Sequence, residues 1–123
     1  YLGTVQDSGW PRLHPVTPII GDGKCFIFVE PESSKVKDLK ANGRFALHCG
    51  MTDSSGSSGE FKVVGTAVPV DNRETRASAE AVCTFRPSAR SLLFELLLAE
   101  VVATTWRGGR PDRRRWTSSL DPR

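Results

Sequence analysis

The sequence is poor in cysteine and histidine, and it has no long apolar run. Its three cysteines and two histidines include no Cys-x-x-Cys pair and no clustered metal-ligand spacing. No stretch approaches the apolar length of about 18 residues that a membrane span needs, and none reads as a signal peptide. These absences exclude a disulfide scaffold. We therefore expect a reduced, cytoplasmic protein that does not enter a membrane.

Length and composition predict one globular domain. The chain of 123 residues is long enough for one core and too short for two. Apolar residues make up 38% and charged residues 25%, which is the balance of a folded chain. The net charge of +3 suits an anionic ligand without requiring nucleic acid. We predict a single domain over 1–123 with a basic tail at 107–123, and we expect further residues upstream because Tyr1 already opens a strand.

Alternating and apolar runs predict a mainly β structure. After a first strand at 2–6, a second should run from about Arg12 to Ile20, interrupted by Pro15 and Pro18, which have no N–H for a ladder. Further strands are predicted at 24–29, 44–49 and 61–70. Gly65 marks a bulge in the last of these. Residues 50–59, rich in serine and glycine, should form a surface loop.

Two segments have the capping signals of helices. Ser33 or Ser34 should begin a short helix that ends at Asn42-Gly43. Asp71 should be the N-cap of a second helix over about 73–82.

The segment from Ser91 to Thr105 remains open at this point. Its leucines favour a helix, whereas its alternation and β-branched residues favour a strand. The pattern as a whole predicts a barrel or sandwich with two or three helices.

The start of the first helix is a candidate anion site. A helix N-terminus offers unpaired N–H groups and a positive dipole, and Ser33, Ser34 and Lys35 add hydroxyls and a cation. An ordinary cap with a solvated lysine is the alternative. The two prolines of the second strand should leave the N–H groups of Val16 and Thr17 free to meet the polar edge of a ring-shaped ligand. The alternative there is an edge strand whose prolines block aggregation.

The remaining candidate groups give weak signals. Isolated histidines such as His14 and His48 are more typical of structural or cofactor-adjacent groups than of metal ligands. His48 and Cys49 are neighbours on a predicted strand and point to opposite faces, which argues against a Cys–His nucleophile pair. The arginines of 107–115, with tryptophans on either side, are similar to a nucleic-acid patch. A solvated tail that closes over the barrel or a partner subunit is favoured instead, because charge elsewhere is nearly balanced.

Several short pieces are more informative in their order and spacing than alone. They are Leu2-Gly3-Thr4-Val5, Pro11-Arg12-Leu13-His14-Pro15-Val16-Thr17-Pro18, Ser33-Ser34-Lys35 with Leu39, Asn42, Arg44 and Ala46-Leu47-His48, then Gly65-Thr66-Ala67, Leu93-Phe94-Glu95-Leu96 and Arg115-Trp116. Over most of its length the chain thus resembles the pyridoxamine 5'-phosphate oxidase-like, FMN-binding split-barrel family. The resemblance implies a six-stranded antiparallel split β-barrel, usually a homodimer with the flavin in a groove between subunits. It also implies that residues 92–106 are mainly strand.

The resemblance implies a set of cofactor-binding residues as well. The run that matches the flavin-contacting strand is His14, Pro15, Val16 and Thr17. The run that matches the phosphate-holding turn is Ser33, Ser34 and Lys35, with Val29 on the strand before it. Arg115 and Trp116 match residues that approach the flavin ring. The chain departs from the oxidase proper at His14 and Ser34, where that enzyme has arginines, so fewer guanidinium groups would face the phosphate.

The function that the resemblance implies is that of an FMN-dependent oxidoreductase, with hydride transfer through the flavin to or from a small-molecule substrate. Members of the broad family also bind coenzyme F-420 or haem. A deazaflavin-dependent reductase and a non-catalytic flavin or haem binder are therefore the alternatives. A small basic barrel for single-stranded nucleic acid is a further alternative that we do not expect.

Overall fold

The computed structural model describes residues 1–50 and 59–118, which form eight strands and two helices. The strands are β1 (Leu2–Val5), β2 (Pro11–His14), β3 (Ile19–Gly21), β4 (Lys24–Val29), β5 (Arg44–His48), β6 (Glu60–Val70), β7 (Leu92–Arg107) and β8 (Arg110–Thr117). The helices are α1 (Ser34–Ala41) and α2 (Arg73–Ala81). Most of the predicted loop at 50–59 lies outside the described residues.

All strands belong to one antiparallel sheet in the order β2-β1-β5-β6-β7-β4-β3, with β8 paired to β7 off this path. Among the described residues no ladder joins β2 to β3, so the sheet curls without closing. The predicted mainly β, antiparallel split barrel is confirmed. Eight strands replace the predicted six because the second is in two pieces and the basic tail adds another.

The predicted second strand, Arg12 to Ile20, is wrong as a single element. Its first piece, β2, pairs with β1, and its second piece, β3, pairs with β4 at the opposite end of the sheet. Pro15 and Pro18 explain the break, because neither can donate a ladder hydrogen bond. The residues between the two pieces therefore connect the two edges of the sheet.

The centre of the sheet is the long pairing of β6 with β7. Its register shifts between Val64 and Gly65, which confirms the predicted bulge. A Cβ atom at position 65 would lie 2.0 Å from the carbonyl oxygen of Leu97, so only glycine fits there. The predicted strand over 92–106 is confirmed by β7, in which burial against the core outweighs the helical propensity of the leucines.

The core lies inside the curl of the sheet. Its fully buried members come from β1, β4 and β7, and include Leu2, Ile27, Phe94 and Leu96. Val36 and Leu39 of α1 pack into the same cluster, which places this helix against β1. A second, smaller cluster joins Ala79 of α2 to β3, β4 and β7.

The two helices begin at polar caps. Ser33 is the N-cap of α1, and its Oγ accepts the Lys35 N–H at 3.2 Å. The predicted cap at Asp71 is wrong, since the N-cap of α2 is Asn72, whose Oδ1 accepts the Thr75 N–H at 3.0 Å. Residues 110–117 of the predicted basic tail form β8, in which every residue is exposed. In the described part of the chain, neither helix is long and apolar enough to cross a membrane.

Candidate functional site

A cavity of about 320 Å³ lies between the β2–β3 connection, the end of β4 and the start of α1. Its volume falls within the range of roughly 300–1,000 Å³ that is usual for small-molecule sites. We call it the polar cavity, and it is lined by Pro15, Val16, Thr17, Phe28, Val29, Glu30, Ser33, Lys35 and Phe85. Six of these nine residues were predicted as cofactor contacts from sequence. The structure thus brings two distant segments of the chain, residues 15–17 and 29–35, to one place.

One wall of the polar cavity is irregular backbone. The ladder of β1 with β2 ends at His14, because the next residue is Pro15. The N–H groups of Val16 and Thr17 donate no hydrogen bond to any other residue that the structure describes. Exposed amides next to a cavity are suitable donors for a polar ligand.

The opposite wall is the start of α1. The Ser33 N–H donates to the Glu30 carbonyl at 3.0 Å, and the Ser33 Oγ accepts from Lys35, so the turn is fixed from both sides. The Ser33 hydroxyl proton is left over as a donor. Lys35, half-buried, adds the positive charge. This end of the cavity therefore offers the Ser33 hydroxyl and the Lys35 ammonium group to an anion, whereas the amides of Ser33 and Lys35 are bonded within the turn.

The charge of the polar cavity is modest. Glu30 lines the cavity as well, and its Oε1 accepts the Ser91 hydroxyl at 3.2 Å. Lys35 is the one cationic side chain among the lining residues. Most of the attraction for an anion must therefore come from hydrogen bonds rather than from net charge.

His14 lies behind the polar cavity in a buried network instead of lining it. Its Nε2 is 3.1 Å from Thr4 Oγ1, and the Thr4 hydroxyl donates to Asp38 Oδ2 at 2.7 Å. Arg12 Nε donates to the same carboxylate oxygen at 2.8 Å. Because the Thr4 proton goes to Asp38, His14 Nε2 is the donor in its own bond. His14 therefore lies in a supporting position behind the cavity, and its direct contact with a cofactor stays a prediction.

Burial and charge shift the pKa values of this network. Burial lowers the pKa of His14 below its usual 6.5, and the nearby Lys35 lowers it further, against the raising effect of Asp38. Burial would raise the pKa of Asp38, but hydrogen bonds from Thr4 and Arg12 outweigh it and hold that pKa below the usual 3.8. The favoured state is thus a neutral imidazole beside an ionised carboxylate. Sequence reasoning missed Asp38, although its place beside Val36 and Leu39 on the buried face of α1 was a signal.

Three other predicted residues lie away from the polar cavity. Ser34 is exposed at the start of α1 and does not line it. Arg115 is exposed on β8, with its Nε 3.5 Å from Glu100 Oε2. Trp116, half exposed, lines a second cavity.

This second cavity has a volume of about 620 Å³ and a mostly apolar wall. We call it the apolar cavity, and its lining includes Val16, Pro18, Ile20, Phe61, Leu96, Leu98 and Trp116. Val16 lines both cavities, so the two meet at the β2–β3 connection. Sequence reasoning found Val16 and Trp116 but not the cavity, because its walls come from strands that are far apart in the chain.

His48 and Cys49 lie at the rim of the apolar cavity and do not act on each other as nucleophile and base. His48 Nε2 is 3.1 Å from Glu60 Oε1, and its Nδ1 contacts the backbone oxygen of Cys49. The Cys49 Sγ accepts the Phe61 N–H at 3.2 Å. Burial raises the pKa of Cys25, which makes that thiol a poor nucleophile. Within residues 1–50 and 59–118, no group of three or more metal-ligating side chains is present.

No protein-family model matches the chain, and no curated protein matches it. Solved structures do match, at low sequence identity. An FMN-binding, pyridoxamine 5'-phosphate oxidase-related protein from Nostoc punctiforme is 13% identical with a TM-score of 0.68, over 98% of this chain and 85% of that one. A pyridoxinephosphate oxidase family protein from Clostridium acetobutylicum is 16% identical with a TM-score of 0.66, over 92% and 82%.

A haem-binding protein from Mycobacterium smegmatis is also similar, at 18% identity and a TM-score of 0.70. The match covers 92% of this chain, which spans only 50% of the length of that protein. At such identities the likeness concerns the fold. The chain has the split-barrel fold of the pyridoxamine 5'-phosphate oxidase-related, FMN-binding proteins.

Proposed function

We propose that this protein is a flavin-dependent oxidoreductase that holds FMN across the two cavities. The observation that carries the proposal is the junction at Val16 between a polar cavity with one cation and a larger apolar cavity. FMN has a phosphate at one end and a flat ring system at the other, so it needs both environments. The fold that the chain shares with FMN-binding proteins supports the same reading.

The residues of the polar cavity fit a phosphate end. Lys35 would supply the charge, and the Ser33 hydroxyl would supply a further donor. Glu30 weakens this fit, but its carboxylate is engaged by Ser91. We infer a single phosphate rather than a more highly charged group, because one lysine offsets only part of that charge.

The residues of the β2–β3 connection fit a ring edge. The N–H groups of Val16 and Thr17 would donate to the polar edge of the flavin, and Pro18 and Trp116 would contact its apolar faces. When bound, the flavin supplies hydride transfer to or from a small-molecule substrate. The contribution of the chain is to fix the ring, to exclude water from its apolar side and to hold the phosphate.

We further propose that a second copy of the chain covers the apolar cavity. Support comes from its exposed apolar rim, in which Ile20 is 74% exposed and Trp116 is 52% exposed. Exposure of this extent around one cavity is typical of an interaction surface. Sedimentation equilibrium should therefore give twice the chain mass of 13.5 kDa, and a concentration-independent monomer would contradict the proposal.

A titration tests the proposed function. The purified protein is titrated in turn with FMN, coenzyme F-420 and haemin, and the complexes are then offered NADPH. We expect FMN to bind, with a change in flavin fluorescence, and to be reduced. Saturable binding of none of the three would contradict the proposal.

Two substitutions at Thr17 sharpen the same experiment. Thr17→Pro removes an amide donor that faces the polar cavity, and it should abolish FMN binding in a protein that keeps its circular dichroism spectrum. Thr17→Ala keeps the amide and removes only the hydroxyl, so it serves as the matched control. Undiminished binding by the proline variant would contradict the assigned role of this backbone.

The second candidate is a deazaflavin-dependent reductase or a non-catalytic flavin or haem binder. The low charge of the polar cavity favours it, because a ligand held mainly by the apolar cavity would need little phosphate recognition. The haem-binding structural neighbour is consistent with this candidate. In the titration, haemin binding with a Soret band and no FMN binding would favour it. The cytoplasmic location stays a prediction.

A further inference from the structure

The segment that joins α2 to β7 brings an aromatic side chain to the polar cavity. Residues 82–91 contain no helix or strand, and we call them the 82–91 segment. Phe85, near the middle of the segment, lines the polar cavity and is 42% exposed. Its ring meets Phe28 of β4 edge-on, with centroids 6.4 Å apart. Phe85 is thus one wall of the cavity that also contains Lys35.

One side chain of α2 binds the C-terminal end of this segment. Arg76 of α2 donates through Nη1 to the Ser91 carbonyl at 2.7 Å and through Nη2 to the Ser88 carbonyl at 3.3 Å. Its Nε donates to Glu80 Oε1 at 3.0 Å, in the last turn of α2. The guanidinium carbon also lies 5.2 Å from the centroid of the Phe28 ring on which Phe85 rests.

The other links of the segment are few. The amides of Thr84, Phe85 and Arg86 donate no hydrogen bond to any residue in the described ranges. The Arg90–Glu32 ion pair is 2.7 Å long but joins side chains that are 75% and 67% exposed, where such pairs contribute little. The piece that carries Phe85 is therefore held by its ring contact with Phe28, by the Cys83 N–H bond to the Glu80 carbonyl at 3.2 Å before it, and by the Arg76 bonds to Ser88 and Ser91 after it.

We propose that Arg76 is a positioning residue that holds Phe85 as a wall of the polar cavity, and that release of the 82–91 segment sets how fast a bound ligand leaves. This inference rests on the proposed function, in which the cavity holds the phosphate end of FMN. The planar guanidinium group of Arg76 binds two carbonyls at once, in a geometry that neither a lysine nor an amide side chain reproduces. Without it, the segment moves away, the Phe85 ring leaves Phe28, and water reaches the Lys35 end of the cavity.

The first experiment measures release of FMN by stopped-flow fluorescence. Arg76→Gln should raise the dissociation rate constant by about tenfold while the association rate constant stays close to that of the natural protein. Arg73→Gln is the matched control, because Arg73 is an exposed residue of the same helix and the charge change is the same. Phe85→Ala should also raise the dissociation rate constant of FMN. This variant tests the proposal separately if Arg76→Gln fails to fold.

The second experiment measures opening of the 82–91 segment in the absence of flavin. Cys83 is half-buried and packs against the smaller core cluster, so opening of the segment exposes its thiol. In a Cys49→Ser background, a thiol reagent should label Cys83 faster in Arg76→Gln than in Arg73→Gln, as located by mass spectrometry. The rate of Cys83 labelling tests the role of Arg76 even if the proposed function is wrong, because the measurement needs no cofactor.

The outcomes separate the two ideas. If no flavin binds but Cys83 is labelled faster in Arg76→Gln, the proposed function fails and the positioning by Arg76 stands. If FMN binds and Arg76→Gln changes neither release nor labelling, the inference is overturned and the proposed function stands. Unchanged FMN release by Phe85→Ala would also overturn it.

Discussion

The polar and apolar cavities differ in how the chain builds them. The polar cavity is made where regular structure stops, at the proline-broken connection and at the N-cap of α1, so its donors are unpaired backbone and cap groups. The apolar cavity is made mostly by side chains that regular strands display, such as Leu96 and Leu98 of β7. Donor groups that are unpaired in the secondary structure therefore characterise the polar cavity, and the shapes of strand side chains characterise the apolar cavity. Hydrogen-bond donors and apolar contact surface are thus provided by different elements of the fold.

The two cavities also differ in what lies behind them. The polar cavity has the network of His14, Thr4, Asp38 and Arg12 next to it, whereas the apolar cavity is lined mostly by strand residues together with the β2–β3 connection. The network joins β1 and β2 to α1, so it fixes the helix start relative to the strand connection. Titration of this network should therefore affect the polar side more than the apolar side.

Among substitutions that leave the backbone donors in place, the largest expected effect comes from removing the one cationic side chain that lines the polar cavity. Lys35→Gln should weaken FMN binding by about 10- to 100-fold, because a hydrogen bond to a charged group is worth roughly 1.5–3 kcal/mol. Riboflavin, which lacks the phosphate, should bind the variant and the natural protein alike, as measured by fluorescence titration. Glu30→Gln is the opposite charge change in the same cavity and should tighten FMN binding. Equal losses for FMN and riboflavin would contradict the assignment of Lys35 to the phosphate.

A smaller effect is expected at the apolar cavity. Trp116→Ala removes an exposed aromatic wall and should weaken FMN and riboflavin equally, by about tenfold, since stacking and buried area contribute on the order of 1–2 kcal/mol. Arg114→Ala, on the same strand but outside both cavities, is the control and should bind both ligands normally. A loss confined to FMN would place Trp116 near the phosphate and reverse the roles of the cavities.

The smallest effect concerns pH. Because the pKa of His14 is lowered in the folded protein, the unfolded chain takes up this proton first as the pH falls below 6.5. The free energy of unfolding should therefore decrease from 6.5 down to the pKa of His14 in the folded state. His14→Gln removes this titration and should make the decrease shallower, as measured by urea unfolding at a series of pH values. Parallel slopes for the two proteins would show that His14 does not titrate differently on folding.

Part of the fold could be predicted from local chemistry. The Ser33 cap, the bulge at Gly65 and the break at the two prolines follow from properties of single residues, and each was anticipated. The strand assignment of 92–106 was open on propensity and needed the family resemblance, because burial decided it. The Asp71 cap was misplaced by one residue because Asp and Asn are both good caps and the sequence does not rank neighbours.

The candidate site was also predictable only in part, because some of its residues are brought together only by contacts between distant parts of the sequence. Residues 15–17, Ser33 and Lys35 could be found because proline and a helix cap are visible in the sequence. Phe85 and the walls of the apolar cavity could not be found, because contacts over long sequence separations create them, and the partners of Asp38 are equally distant in the chain. Ser34 does not line the polar cavity, because helix periodicity turns it to solvent although it is next to the cap, and its contact with a cofactor stays a prediction.

The connection at 15–18 sets a length limit on the whole molecule. It joins β2 and β3, the two opposite edges of the sheet, and the five steps from His14 to Ile19 can span at most about 18 Å. The curvature of the sheet is thus limited by a tether as well as by core packing. A longer tether would let the edges separate and would widen both cavities together, so the volume of the two cavities is limited by the number of residues between two strands that do not pair with each other.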